Sequence, residues 1–298
     1  TIWKERVLGN KIKSSASKKI AIPKLTMKAT TTNIDQKIEK IELNSGIKIL
    51  FKYSKDTPTV SAKFVFRGGA RLEDPETMGL AELTSRVWIG ATPTKTEAQL
   101  MQELEESAIH LSCFSGKNTT GFSLDYLSAF EEKAIALTVD TILNSTFSDE
   151  IIEREKSILV QAIKSREDHP ASLCTRQFLK TIFGDHPLSY ESTGTMDSLP
   201  KLVRDKILNL KDRMLLNENM TIVVVGDYNK NLWMSAIKTL ERSFNNKKNV
   251  QPEHKIQQLT ENKKVFLESS KEQSHVIIGW RGLTLTDPDR YTLHAIEA

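Results

Sequence analysis

The feature that most restricts the fold of this chain is an alternating strand that stops at two glycines and is followed closely by a helix. Apolar and polar residues alternate over residues 60–67, which is the pattern of a half-buried strand. Gly68 and Gly69 end this strand, and the first predicted helix covers residues 77–88. A strand that leads directly into a helix favours a domain built from both kinds of element.

Strands and helices alternate along the rest of the sequence. Residues 38–52 predict a β-hairpin around Asn44-Ser45-Gly46, because two alternating segments flank a turn-forming tripeptide. Capping boxes are predicted at Thr94-x-x-Glu97 and Ser128-x-x-Glu131, each opening a helix. Further strands are predicted at 109–115, 121–126 and 221–225, and further helices at 148–169, 171–183, 198–210 and 229–244. This order predicts an α+β fold in which helices pack on a mixed, mostly antiparallel sheet.

The chain is predicted to contain one domain and the beginning of a second, similar one. The strand ending in F-R-G-G precedes Asp74-Pro75-Glu76 and a helix, and a strand predicted at 274–282 precedes Asp287-Pro288-Asp289 and a helix. This internal repeat marks the start of the second domain. With the polar and basic stretches between and before the domains, the chain is predicted to have four segments. They are a basic linker or arm at 1–36, a first domain at 37–246, a linker at 247–262 and a truncated second domain at 263–298.

Composition is that of a soluble globular protein, with 39% apolar and 27% charged residues. Apolar runs such as residues 221–226 are far too short to span a bilayer. The chain begins at Thr1 without an apolar signal segment, and we expect it to be a piece of something longer. Residues 1–35 hold eight Lys or Arg and two acids, which predicts a solvated basic linker, with binding to an anionic surface as the alternative.

A series of short motifs follows in a specific order. They are F-R-G-G-A-R-L-E-D-P from Phe66, M-G-L-A from Met78, I-G-A-T from Ile89, I-E-R-E-K-S-I-L-V-Q-A-I from Ile152, F-G-D-H-P-L-S-Y from Phe183, G-T-M-D-S-L from Gly194 and N-E-N-M-T-I-V-V-V-G-D-Y from Asn217. In this order and spacing, residues 37–298 resemble the pitrilysin, insulysin and mitochondrial processing peptidase family of inverzincin zinc peptidases. The resemblance implies a peptidase of two similar halves around a chamber, one of which often lacks the metal.

The resemblance also implies where a zinc site would lie. In the family, H-x-x-E-H follows Gly-Leu-Ala, and here these five positions read E-L-T-S-R. The first zinc histidine falls on Glu82, the general-base glutamate on Ser85 and the second histidine on Arg86. The third ligand, a glutamate on a later helix, falls on Gln161. All four positions depart from the family's pattern.

These four side chains do not suit a peptidase zinc site. Such a site needs three donor side chains, one open position and a base for the bound water. The Arg86 guanidinium keeps its proton, Ser85 is no base near neutral pH, and Gln161 is a weak neutral donor. We therefore predict no catalytic residue, no metal and no other cofactor in this fragment, and expect zinc in a partner half.

Glu82 and Arg86 have a second possible role. They are spaced i,i+4 with the acid first, which is the favourable orientation for an ion pair on a helix. Our hypothesis is that this pair occupies the space of the missing metal. The alternative is that both are solvated residues of the chamber wall.

No other residues predict a second site. No two of the six histidines lie within four residues of each other. His169 and His186 precede prolines and are expected at turns or helix ends, and His110 is expected to be partly buried in a strand. Cys113 and Cys174 lack C-x-x-C spacing and are predicted to be buried thiols. Basic and aromatic residues are not interleaved as in nucleic-acid binders.

The resemblance therefore implies a supporting role within a zinc metallopeptidase, with this fragment inactive alone. The domain would pair with a zinc-bearing half, on the same chain or a separate subunit, and hold extended peptide or protein substrate at a strand edge. One alternative is a structural subunit of a larger complex without proteolysis, and another is an active metalloendopeptidase with displaced ligands. No nucleic acid and no membrane span are expected, and a bacterial periplasm or cell envelope is the favoured compartment.

Overall fold

Six strands form a single mixed sheet in the part of the chain that the structure describes. A computed structural model describes residues 38–245, 252, 254–256, 261–268 and 273–297 of the protein, all within the unit Gln36–Ala298. The strands are β1 (Glu39–Glu42), β2 (Lys48–Tyr53), β3 (Thr59–Arg67), β4 (His110–Ser115), β5 (Thr119–Leu127) and β6 (Met220–Gly226). Their order in the sheet is β1-β2-β6-β3-β5-β4. Only β2 and β6 run parallel, and the other neighbouring pairs are antiparallel. The predicted fold class is confirmed.

Eight helices lie in the described residues. They are α1 (Leu80–Trp88), α2 (Glu97–Glu106), α3 (Glu131–Asn144), α4 (Asp149–Glu167), α5 (Pro170–Phe183), α6 (Arg204–Met214), α7 (Lys230–Ser243) and α8 (Arg290–Glu297). Of these, α1, α2 and α3 contact the strands of the sheet. The alternation of β3 explains the arrangement, because Phe64 and Phe66 are buried while Lys63 and Arg67 on the opposite face are exposed. Within the described part of the chain, no helix has the length and apolar composition needed to cross a bilayer.

The helix starts differ in detail from the predicted ones. The capping box of α2 is formed by Thr96 and Gln99, not by Thr94 and Glu97, because a turn bridged between Thr92 and Lys95 delays the helix. The predicted box at Ser128 is also wrong. A 3-10 turn, Ser128–Phe130, precedes α3 without a side-chain cap. Glu131, the first residue of α3, accepts hydrogen bonds from the Tyr126 hydroxyl and the backbone N–H of Asn229 instead.

The chain beyond α7 contains one predicted element and lacks another. The helix predicted after Asp287-Pro288-Asp289 is present as α8. The strand predicted at 274–282 is wrong, because these residues have no strand partner within the described ranges. Its apolar side chains lie in solvent as a result: Ile278 is 85% exposed and Trp280 76%. The predicted arm at 1–36, and most of the predicted linker at 247–262, lie outside the described residues.

Candidate functional site

The helix that carries three of the four predicted site positions is capped by a buried carboxylate. Glu73 accepts hydrogen bonds from the backbone N–H of Gly79, at 3.1 Å, and of Ala81, at 2.8 Å. These amides at the start of α1 have no partner within the helix. Gly79 has a φ of +89°, and a Cβ there would lie 2.7 Å from the Cα of Gly194. The chain can therefore enter α1 in this way only with glycine at position 79.

The carboxyl group of Glu73 has a pKa well above the ordinary value for glutamate. Its side chain lies inside the protein, and burial raises the pKa of its carboxyl group from 4.5 to about 7. The backbone hydrogen bonds to Ala81 and Gly79 and the positive charge of Lys117 oppose this increase in the pKa. Lys117 in turn donates a hydrogen bond to the carbonyl oxygen of Tyr190. The start of α1 is thus linked to the β4–β5 turn and to the loop after α5.

The inner side of α1 fixes the helix in the core. Trp88 at its end is fully buried. The Trp88 ring meets those of Phe122 and Phe147 edge-on, with ring centroids 5.2 Å and 5.7 Å away. Its Nε1 donates to the carbonyl oxygen of Ile142 at 3.4 Å. The outer side of α1 is therefore held at a constant position over β4 and α4, which it contacts.

The outer side of α1 carries the predicted ion pair. Arg86 Nε donates to Glu82 Oε1 at 2.8 Å, which confirms that the two side chains pair. Arg86 also approaches Glu155 on α4, with 3.8 Å between Nη1 and Oε2. The Ser85 hydroxyl is buried and donates to the carbonyl oxygen of Glu82 at 2.8 Å. Three of the four predicted positions therefore contact one another.

The ion pair continues into a longer network of alternating charges. Arg154 lies 3.2 Å from Glu155 and donates two hydrogen bonds to Glu97, at 2.9 Å and 2.8 Å. These bonds lower the pKa of the Glu97 carboxyl group and raise the pKa of Arg154, so both groups stay charged. The sequence pattern did not reveal this extension. Arg154 and Glu97 are too far apart in the sequence for helical spacing to relate them.

The residues at the four positions do not fit a zinc ion. The Glu82 carboxylate is paired with a guanidinium, the Ser85 hydroxyl is used on a backbone carbonyl, and Gln161 is exposed on α4. Among the contacts of the described residues, no hydrogen bond or ion pair joins Gln161 to the other three. Across the described ranges, no three His, Cys, Asp or Glu side chains are grouped so that they could hold a metal ion. A catalytic zinc site needs three such donors.

An outer strand lies directly beside this network. In the described structure β4 is at one end of the sheet, with β5 as its single strand neighbour, and α1 packs against it. Cys113 on β4 faces the helices, and burial, followed by the negative charge of Glu82, raises the pKa of its thiol. A thiol in that state is a poor nucleophile. His110 was expected to be partly buried but is exposed, because at the start of this outer strand it faces away from the helices.

The remaining candidates lie at helix ends and turns or are partly buried. Both cysteines are free and partly buried. His169 precedes α5 as its N-cap residue. His186 lies at a turn after α5, where its Nδ1 accepts a hydrogen bond from the Leu188 amide at 3.1 Å. The expectation that these two histidines lie at turns or helix ends is confirmed.

The Glu82–Arg86 pair is expected to add little to stability. Both side chains are partly exposed, at 21% and 36%, and such pairs contribute about 0.2–0.5 kcal/mol. A double-mutant cycle with Glu82→Gln and Arg86→Met, followed by urea denaturation, should give a coupling energy in this range. A coupling above about 1.5 kcal/mol would contradict the solvent-screened pair described here.

Two family models match this chain. One, described as insulinase (peptidase family M16), matches residues 48–196. The other, described as peptidase M16 inactive domain, matches residues 201–298. A crystal structure of a peptidase M16 inactive domain from Pseudomonas fluorescens has a TM-score of 0.68 at 20% identity, covering 74% of this chain and 53% of that one. The fold is therefore shared.

Relatives in sequence are distant and longer. A protein of Rickettsia bellii (strain RML369-C) described as an uncharacterized zinc protease is 25% identical over 254 residues, which are 84% of this chain and 60% of that protein. A protein of Helicobacter pylori (strain ATCC 700392 / 26695) described as non-peptidase homolog YmxG is 24% identical over 241 residues, or 80% of this chain and 52% of that protein. The chain spans little more than half the length of these relatives.

Proposed function

Because this chain belongs to peptidase family M16, we propose that it is a non-catalytic domain of a zinc-peptidase assembly. It pairs with a half that carries the zinc, closes the degradation chamber with it, and holds extended peptide substrate. The observation that carries the proposal is the pairing of Arg86 with Glu82 at 2.8 Å, in the place where the family has zinc ligands. A guanidinium there repels a divalent cation, so cleavage depends on the zinc of the partner half.

The outer strand β4 supports the part of the proposal that concerns substrate. A strand at the end of a sheet presents unpaired backbone N–H and C=O groups, to which an extended peptide can add as a further strand. The site helix α1 and its charged side chains lie next to this strand. A peptide added to β4 would therefore run past Glu82 and Arg86, where the sequence of a catalytic half has its metal.

A zinc measurement tests the proposal that this chain holds no catalytic zinc of its own. After dialysis against buffer with a trace of zinc, elemental analysis should find well under one zinc ion per chain, and the protein alone should not cleave peptides. Addition of the zinc-bearing half should give peptidase activity that chelators remove. About one tightly held zinc per chain, together with chelator-sensitive cleavage by this chain alone, would instead establish the alternative of displaced ligands.

Backbone-modified peptides test the part of the proposal that concerns substrate. Strand addition uses the N–H groups of alternate peptide residues. Two peptides are therefore compared, one N-methylated at its odd-numbered residues and one at its even-numbered residues. One of them should lose binding, and the other should bind nearly as the unmodified peptide does. Fluorescence anisotropy with an unstructured peptide in the paired complex is the measurement. An equal loss of affinity for the two N-methylated peptides would contradict binding at the β4 edge.

One observation favours a second candidate. The Helicobacter pylori relative is described as a non-peptidase homolog, which suits a structural subunit without proteolysis in its assembly. The two candidates differ in the reconstituted complex. A structural subunit would assemble with its partner but give neither zinc-dependent cleavage nor peptide binding that is sensitive to N-methylation.

A further inference from the structure

Four residues from distant parts of the sequence come together near the end of α5, away from the site on α1. Arg71 lies in the 3-10 turn Gly69–Leu72 that follows β3. His186 follows α5, and His254 and Arg281 come from the segments beyond α7. All four carry, or can carry, positive charge. Their convergence is therefore electrostatically unfavourable unless something compensates it.

Side-chain contacts, two of them to backbone carbonyl oxygens, show how these residues are brought together. His254 Nε2 lies 2.7 Å from the carbonyl oxygen of Arg71. Its ring meets that of His186 edge-on, with centroids 5.6 Å apart. Arg281 donates from Nη2 to the carbonyl oxygen of Ile182, in the last turn of α5, at 2.6 Å. Burial lowers the pKa of His186, and the charges of His254, Arg71 and Arg281 lower it further. These contacts bring Arg71 and Arg281 to the two histidines at the end of α5.

The two arginines have hydrogen-bond donors that the described part of the chain leaves unused. The Nε atom of Arg71 and that of Arg281 are both buried and have no hydrogen-bond partner among the residues that the structure describes. Among the described residues, neither guanidinium forms an ion pair with a carboxylate. Buried charged donors are normally paired, because leaving one unpaired is costly. Two such donors in one cluster indicate a missing acceptor of negative charge.

We propose that Arg71 and Arg281 form a binding site for a small oxyanion, whose oxygens accept hydrogen bonds from both guanidinium groups. The planar fork of arginine matches phosphate and carboxylate oxygens, so the ligand is a phosphate group or a carboxylate. The hydrogen bond between the His254 ring and the Arg71 carbonyl oxygen fixes the turn that carries Arg71. Bound anion would also tie Arg281, and with it the segment 273–297, to the end of α5. This site does not depend on the function proposed for β4 and α1.

Anion titrations of the full chain test this proposal. Isothermal titration calorimetry and thermal denaturation would compare sodium phosphate and sodium acetate with sodium chloride at equal ionic strength. We expect saturable binding in the millimolar range and a rise in Tm that chloride does not give. Arg71→Met and Arg281→Met should each weaken binding by roughly tenfold or more, the effect of losing a hydrogen bond to a charged group. Arg176→Met, an exposed arginine on α5, is the matched control and should bind as the wild type does.

The pattern of responses identifies the ligand or overturns the site. A response to phosphate alone indicates a phosphate group, a response to acetate alone indicates a carboxylate, and a response to both indicates any small oxyanion. If a methionine variant does not fold, Arg71→Lys and Arg281→Lys replace it, because they keep the charge but remove the Nε donor. The proposal is overturned if the wild type does not distinguish the oxyanions from chloride. It is equally overturned if the variants at positions 71 and 281 keep the wild-type affinity.

Discussion

Replacing Trp88 with alanine is expected to lower the free energy of unfolding by about 3–5 kcal/mol, the usual effect of removing a large buried aromatic side chain. The indole is fully buried and lies between Phe122 and Phe147. Its loss leaves a cavity at the end of α1 and removes the hydrogen bond to the Ile142 carbonyl. Urea denaturation followed by far-UV circular dichroism would measure the effect.

Two variants separate packing from the hydrogen bond. Trp88→Phe keeps most of the ring contacts but loses the Nε1 donor, so it should cost clearly less than Trp88→Ala. His110→Ala, on an exposed side chain of β4, should change stability by no more than about 0.5 kcal/mol. A loss below about 1 kcal/mol for Trp88→Ala would mean that the end of α1 is not packed as described.

Stability is expected to fall as the pH rises through neutrality, because of Glu73. Its pKa is raised from 4.5 to about 7 in the folded protein, so the folded state binds a proton more tightly than the unfolded state. This contribution is fully present below about pH 4.5 and is lost as the pH rises through 7. Between about pH 5 and pH 8 the loss amounts to about 2–3 kcal/mol. Urea denaturation at a series of pH values would measure it.

The variant Glu73→Gln isolates this contribution from those of other titrating groups. Glutamine offers one acceptor oxygen, so it can keep only one of the two bonds to Gly79 and Ala81. The variant should be less stable at low pH, but its stability should decline less steeply with rising pH. Parallel pH profiles for wild type and variant would show that the Glu73 carboxyl titrates normally and is not buried as described.

The fold could be predicted from the sequence where local pattern and tertiary packing agree. The alternation that marks β3 also decides which face of the sheet is buried, and the hairpin of β1 and β2 forms around its predicted turn. The Glu82–Arg86 pair could be foreseen for the same reason, since helical spacing alone brings i and i+4 together. In each case the local sequence pattern was sufficient to predict the feature.

Other features could not be foreseen because they depend on contacts between distant segments. Glu73 caps α1 from outside the helix, where the sequence offers no standard capping residue. Arg154 meets Glu97 only because α2 and α4 are neighbours in the fold. The strand at 274–282 was predicted but is absent. Its residues alternate as a strand does, but no neighbouring strand of the described residues pairs with them.

The position of β6 has a consequence for how the protein acquires its structure during synthesis. This strand lies between β2 and β3, although all residues from Ser54 to Asn219 separate it from β2 in the chain. At about 5–20 residues per second, the ribosome needs roughly 10–30 s to make them. During that time the two earlier strands lack the neighbour that joins them, and non-local pairing of this kind is slow to form. The nascent chain is therefore exposed to aggregation for many seconds, and chaperone binding should be strongest before Gly226 emerges.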